Sequence, residues 1–308
     1  MTATETLERP DEPAVPSAPP SRHRRRVPGW LSGHVLLLPT SVWFVILLVI
    51  PMIIVAGYSL GQRSIYKPVL FSWSHLRFSN YADALNAEFL PIFIRSIVYA
   101  VVSTVLCVLL GFPLAYWIAR SGGRLRVFYL VLVIIPFLTS YLIRMYAWLF
   151  ILQRNGLLNR ILGDVGLGRN HQFLNTHFAV ILGLTYGFLP FMILPLYASI
   201  ERMDKSLVEA SYDLGHGKAS TLFRVIIPAV SPGLIAGVLL VFIPAVGDFI
   251  TADLLGGVKT QMLGVTINDQ FTGSSQNWPL GSAMSILLTM FILIGVVFYL
   301  TRVGEEAL

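Results

Sequence analysis

The residues best placed to do chemistry in this 308-residue chain fall into two groups. The first lies in Glu209 to Pro228, EASYDLGHGKASTLFRVIIP, a mixed-polarity segment between two long apolar stretches. Ser206 and Glu209 have the spacing of a capping box, in which a hydroxyl and a carboxylate satisfy the free amides of a helix start. The spacing predicts a short helix from near Ser206, with Leu207, Ala210 and Leu214 on one face. Gly215 then stands where a glycine accepts the left-handed conformation that closes a helix. From Lys218 the pattern is helical again, with Leu222, Val225 and Ile226 as an apolar stripe, until Pro228 and Pro232 interrupt it. The run Gly215, His216, Gly217, Lys218 has the glycines and lysine of a phosphate loop but not its frame. Tyr212 stands where the first glycine is needed, and Ala219 where Ser or Thr must follow the lysine. There is no His-Glu-x-x-His and no pair of intramembrane carboxylates beside a histidine, so the chain is not expected to be an enzyme.

The second group consists of charges inside apolar stretches, where ionised side chains are costly and face either a pathway or a partner. Asp248 and Asp253 sit toward the end of one such stretch, Arg144 and Arg95 within two others. The two carboxylates are candidate counter-charges for a cationic solute. Alternatively, one of them pairs with Arg144 or Arg95, or caps the helix that follows Thr251. Tyr141, Tyr146 and Trp148 can enclose an alkylammonium group by cation–π contact, or they are packing and interface residues. Scattered histidines and a single cysteine, Cys107, supply neither a metal cluster nor a disulfide.

The elements that must position these groups are membrane spans. Apolar residues make up 55% of the chain and charged residues 12%, with a mean hydropathy of +0.72, which no ordinary soluble domain shows. Six apolar blocks are long enough to cross a bilayer, near 34–60, 90–118, 127–152, 176–199, 230–252 and 281–302. The expected class is therefore an all-α integral membrane protein of six transmembrane helices. Residues 1–30, rich in Pro, Ala and Thr and ending in a basic cluster, read as a disordered tail before a membrane domain at 31–308. With the amino terminus inside, thirteen basic residues lie on the cytoplasmic side and seven outside, which favours both termini in the cytoplasm. The net charge of +6 is then topology information and not a sign of nucleic-acid binding. The connections 61–89 and 253–280 carry Trp73, Phe78, Tyr81, Phe271 and Trp278, as short interfacial helices do. Pro113, Pro136, Pro190, Pro195 and Pro244 are expected to interrupt spans and open local bends.

Glu209-Ala210-Ser211, three residues, Gly215, nine residues and Val225-Ile226-Ile227-Pro228 together resemble the EAA loop of membrane permeases in binding-protein-dependent ABC importers. Ser211, Val225 and Ile227 replace that pattern's third alanine, isoleucine and leucine, and the spacing is intact. Pro136 to Asn159, Leu189 to Gly215 and Gly247 to Gly257 are similar to the permeases of spermidine/putrescine importers, and the likeness runs from about Val35 to Thr301.

The resemblance implies the six-helix, type I ABC importer (MetI-like) permease fold, with a coupling loop at 200–229 in which Glu209, Ala210, Ser211, Asp213, Gly215, Ile227 and Pro228 meet an ATPase. Ala210 and Ser211 would allow close approach, and Glu209 would offer a carboxylate. It implies a homologous second permease, two ATPase subunits that hold ATP and Mg2+, and an extracytoplasmic solute-binding protein, all in a bacterial inner membrane, with no cofactor on this chain. Asp248, Asp253, Tyr141, Tyr146, Trp148 and Arg144 are the expected pathway residues. Importers of sulfate, ferric iron or sugars share the loop and are the nearest alternative. An ion-driven secondary transporter would need inverted repeats or a midplane ion site, which the sequence does not show.

Overall fold

The computed structural model describes residues 38–62, 77–168, 171–273 and 276–304. The expected disordered tail at 1–30 and the interfacial role of Trp73 lie outside those residues. All regular structure among the described residues is helical. Among these residues four helices are long and apolar enough to cross a membrane, or six if each of two bent helix pairs makes one span. The chain divides into two compact units, Met1–Met52 and Ile53–Leu308. Helix α1, Leu38–Ser59, contains a π turn at Val45–Val49, and every described side chain of the first unit is exposed.

In the second unit a short helix α2 (Ser79–Ala84) precedes α3 (Leu90–Arg120). Then come α4 (Gly123–Ile134), which tightens into a 3-10 turn at Ile135–Leu138, α5 (Tyr141–Leu152) and α6 (Leu157–Asp164). The long α7 (His177–Arg202) leads to α8 (Ser206–Asp213) and α9 (Lys218–Ala229). After them follow α10 (Ser231–Gly247), α11 (Ile250–Leu255), α12 (Leu263–Thr272) and α13 (Trp278–Gly304). The core is the mutual packing of α3, α7 and α10, with Ala100, Cys107, Leu184, Met192, Leu196 and Val241 fully buried. Short helices do occur in both connections, 61–89 and 253–280. Tyr81 of α2 shares a 2.7 Å hydrogen bond with Ser59, and the Leu263 amide at the start of α12 donates to Ser96 Oγ of α3 at 2.7 Å.

Two expected spans depart from straight helices. The block 127–152 breaks at Thr139 and Ser140, and the flanking segments meet at 89°. Pro136, which lacks an amide hydrogen, lies in the 3-10 turn just before the break, and its carbonyl accepts the Thr139 hydroxyl at 2.7 Å. The block 230–252 meets α9 at 74° across Val230 and ends early, at Gly247, before α11 restarts at Ile250. Pro113, Pro190, Pro195 and Pro244 do not interrupt their helices, which run on through them. A proline removes one backbone hydrogen bond, and packing by α3, α7 and α10 against one another outweighs that single loss.

Candidate functional site

The segment between α7 and α10 is a helix, turn and helix held from within. α8 starts at Ser206 as its spacing indicates, but the capping box does not form. Asp204 supplies the cap instead, accepting the Ser206 amide at 2.9 Å, and the hydrogen bonds from Ser206 hold its carboxyl below the usual carboxylate range. That leaves the Glu209 side chain exposed and free of an internal capping task. At the other end Gly215 has φ +80°, its amide donates to Tyr212 O at 2.9 Å, and the His216 amide donates to Ser211 O at 3.1 Å. These paired bonds are a Schellman closure, which requires the left-handed residue.

Leu207, Ala210 and Leu214 do share one face of α8, and it is not the buried one. Val208 and Ser211 point inward, while Leu207, Ala210 and Leu214 face solvent. Ser211 does not serve as a small contact residue either. It is buried and its hydroxyl bonds Thr221 Oγ1 of α9 at 2.9 Å, tying the two helices together. Ile226 is buried and Leu222 and Val225 half-buried, as the stripe indicates. A π turn at Leu222–Ile226 precedes Pro228, with the Ile227 amide reaching back to Leu222 O. Ile227 is half-buried, and Asp213 and Pro228 are exposed. The outward surface thus combines Leu207, Ala210 and Leu214 with the carboxylates of Glu209 and Asp213, a combination suited to seating in a groove with basic walls.

The second group converges where α10 stops. Asp248 is 9% exposed and lies in the break before α11. Its Oδ1 accepts the Thr251 amide at 2.7 Å and its Oδ2 the Tyr141 hydroxyl at 2.8 Å. Tyr141 Oη also meets Thr251 Oγ1 at 2.5 Å. Because the phenol proton goes to Asp248, the threonine hydroxyl donates in that second contact. The carboxylate therefore caps α11, where the amino end of a helix favours negative charge.

Arg144 is 8% exposed, and its guanidinium carbon lies 5.3 Å from the Tyr141 ring centre, 5.5 Å from Phe137 and 6.0 Å from Tyr186. Of the three aromatics expected to enclose an alkylammonium, only Tyr141 lies against this cation, which is the chain's own. Neither Asp248 nor Asp253 forms an ion pair with Arg144 or Arg95 among the described residues. Arg95 donates instead to Gln261 O at 3.3 Å. The structure does not gather all the expected residues. Asp253 is exposed in a separate cavity of about 260 Å3 that also holds Asp269, Tyr146 is 44% exposed, and Trp148 makes an edge contact with Tyr186 at 5.4 Å.

Four residues of the cluster escaped the sequence reading: Phe137, Gly183, Tyr186 and Gly187. A Cβ on Gly187 would stand 2.7 Å from Tyr141 Cε2, and one on Gly183 would stand 2.6 Å from Leu255 Cδ1. Their Gly-x-x-x-Gly spacing in an apolar helix is the signal that marks such close approach. Gly187→Val is expected to push Tyr141 off Asp248 and to lower the thermal stability of the solubilised complex, an overpacking penalty of about 1–3 kcal/mol. Adding Tyr141→Ala should restore part of that loss in the same unfolding measurement; additive losses would show that the two positions do not touch.

A family model described as "binding-protein-dependent transport system inner membrane component" matches residues 108–303. The spermidine/putrescine transport system permease protein PotB of Haemophilus influenzae is 40% identical over 258 residues, covering 83% of this chain and 89% of the relative. The protein of the same name from Escherichia coli is 39% identical over 249 residues, 80% of this chain and 89% of the relative. The Escherichia coli inner membrane ABC transporter permease protein YdcU is 30% identical over 240 residues, 72% and 75% of the two chains. Among solved structures, a chain of a bacterial ABC transporter involved in import of the acidic polysaccharide alginate superimposes with a TM-score of 0.68 at 21% identity, covering 90% of this chain and 96% of that one. A chain of the MetNI methionine ABC transporter gives 0.52 at 18% identity, over 71% and 95%. The fold is thus that of ABC importer permeases, and this chain belongs to the family of binding-protein-dependent transport system inner membrane components.

Proposed function

We propose that this chain is one of two permease subunits of an ATP-driven polyamine importer, for spermidine or putrescine. One observation carries the coupling role: α8 and α9 form an internally braced unit whose apolar face and two carboxylates are turned outward. Polyamine as the solute is supported by the identity to permeases named for spermidine and putrescine over most of both chains. In this reading Glu209, Ala210, Asp213 and Pro228 touch an ATPase, and Ser211, Gly215 and Ile227 hold them in place. Two ATPase subunits carry the ATP and Mg2+, a homologous permease completes the pathway, and an extracytoplasmic binding protein delivers the solute. The basic-residue asymmetry puts both termini and the α8–α9 segment in the bacterial cytoplasm. Asp248 supplies a counter-charge to a passing ammonium, and Asp253 with Asp269 an acidic vestibule. Hydrolysis belongs to the partner, so no catalytic step is assigned to this chain.

A second reading, an oxyanion as solute, is favoured by Arg144. Its Nε is buried without a hydrogen-bond partner, and a cation–π cage of ~2 kcal/mol does not offset burial of a guanidinium, which costs several. The intact complex, reconstituted with its binding protein, separates the two. Stimulation of ATP hydrolysis by spermidine or putrescine, and not by sulfate, is the expected result. Stimulation by sulfate alone would move the assignment to the anion.

A further inference from the structure

A second charged cavity lies at the opposite end of α7 from its amino terminus, where α3 and α7 finish and α4 begins. It encloses about 220 Å3 and is lined by Tyr116, Arg120, Arg126, Ile200, Glu201 and Lys205 among others. At ~30 Å3 per water this is room for several waters, enough for a phosphate and its ester oxygens. Three cations face one carboxylate. Arg126 and Glu201 form an ion pair, the only one found among the described residues, which leaves Arg120 and Lys205 as surplus charge. The Arg120 guanidinium lies 4.8 Å from the centre of the Tyr116 ring at the cavity wall, and the Arg120 and Lys205 side chains are both solvent-accessible.

Basic residues at the carboxyl ends of helices complement the helix dipole, and that alone accounts for Arg120 and Arg202. It does not account for a concave site that also collects Arg126 and Lys205 from α4 and the α7–α8 connection. Beside the cavity, the outward face of α3 presents Trp117, 52% exposed, with its ring centre 4.2 Å from that of Tyr129 on α4; Phe128 lies next to Tyr129. Tryptophan and tyrosine of this kind mark the headgroup level, and the exposed Leu110 and Leu114 continue the same helix toward the bilayer interior. A soluble anion has no use for that flank, whereas a lipid uses the cations for its phosphate and the aromatics for its glycerol and upper chains.

We propose that this cavity binds the phosphate of an anionic phospholipid, with Arg120 and Lys205 as the free donors. Lys205 immediately precedes Ser206, so occupancy anchors the root of α8. The proposal is independent of the solute assigned above. It is tested on the whole complex purified in detergent, delipidated and offered phosphatidylglycerol, phosphatidylcholine, glycerol 3-phosphate or inorganic phosphate, with bound lipid read by native mass spectrometry. The wild type should retain phosphatidylglycerol over phosphatidylcholine. In Arg120→Gln/Lys205→Gln that retention should fall by roughly tenfold or more, as expected for two basic side chains at an anionic headgroup. Arg120→Lys/Lys205→Arg should keep it, which separates loss of charge from loss of fold. Equal retention by the glutamine variant overturns the proposal and returns both residues to dipole compensation. Protection by inorganic phosphate as strong as by the lipid makes the site one for soluble anions. Loss of the ATPase with lipid retention unchanged makes it a protein contact.

Discussion

Gly215→Val is expected to reduce uptake to background and to remove the stimulation of ATP hydrolysis by solute-loaded binding protein, while the permease remains inserted at wild-type levels. The cause is backbone conformation and not crowding, because nothing lies within 4 Å of a Cβ built at that position. At φ +80° an L-residue brings its Cβ against the following carbonyl, at a cost of roughly 1–2 kcal/mol, and branching at Cβ adds to it. α8 has eight residues, too few to hold itself without its closing turn and the Ser211–Thr221 bond. Losing the turn reorients the whole outward face. Gly215→Asn should retain most of the uptake, since asparagine enters the left-handed region readily. Glu209→Ala tests the same coupling from the other side. Asp204 caps α8, so removing the Glu209 carboxylate leaves the helix start intact, and lost uptake then reports a lost contact with another subunit. Wild-type uptake by Gly215→Val or Glu209→Ala, at matched membrane abundance, would sink the coupling role.

The same segment shows how much of the structure was written locally. The start of α8 and the glycine that ends it follow from short-range chemistry, and both are where their spacing puts them. Which acceptor caps the helix was not legible, because Asp204 and the Ser206–Glu209 pair both satisfy the pattern and only the path of the chain leaving α7 selects between them. Which face is buried was not legible for a related reason. Leu207, Ala210 and Leu214 form the more apolar face, so burial of that face is expected of any helix that covers its own core. Here that face is turned outward and a hydroxyl pair is buried instead, as the proposed contact with another subunit requires. Span ends at Leu90, His177 and Arg202 lie close to the limits of their apolar blocks. The 89° break at Thr139 and Ser140 leaves no mark in hydropathy, since apolar residues continue on both sides of it. The cluster at Asp248 draws on α5, α7 and α11 at once. Its members were recognisable as residue types, but their meeting depends on the clearance at Gly183 and Gly187.

That cluster supports a prediction whose variants separate charge from structure. Asp248 does two things: Oδ1 caps α11 through the Thr251 amide, and Oδ2 receives the Tyr141 hydroxyl. Asparagine keeps the capping oxygen and removes the charge, while its new amide can donate to Tyr141 Oη. Asp248→Asn should therefore hold the fold near wild-type stability. Leucine removes the cap as well, at about 1 kcal/mol, and strands the Tyr141 hydroxyl. If Asp248 serves a passing ammonium, a charged hydrogen bond of ~1.5–3 kcal/mol is at stake, so Asp248→Asn should slow polyamine uptake about ten- to a hundredfold. Asp253→Asn, at an exposed carboxylate, should have a smaller effect, seen mainly as a higher half-saturating concentration of loaded binding protein. Arg144 makes the test asymmetric. Held over three rings, one of them that of Tyr141, which bonds Asp248, it repels an ammonium that lingers, so Arg144→Met should lengthen solute occupancy and stabilise the spermidine-bound complex against heat. Full polyamine transport by both asparagine variants would leave Asp248 as a helix cap alone. The enclosed arginine would then be the group to follow, because its buried Nε has no hydrogen-bond partner among the described residues.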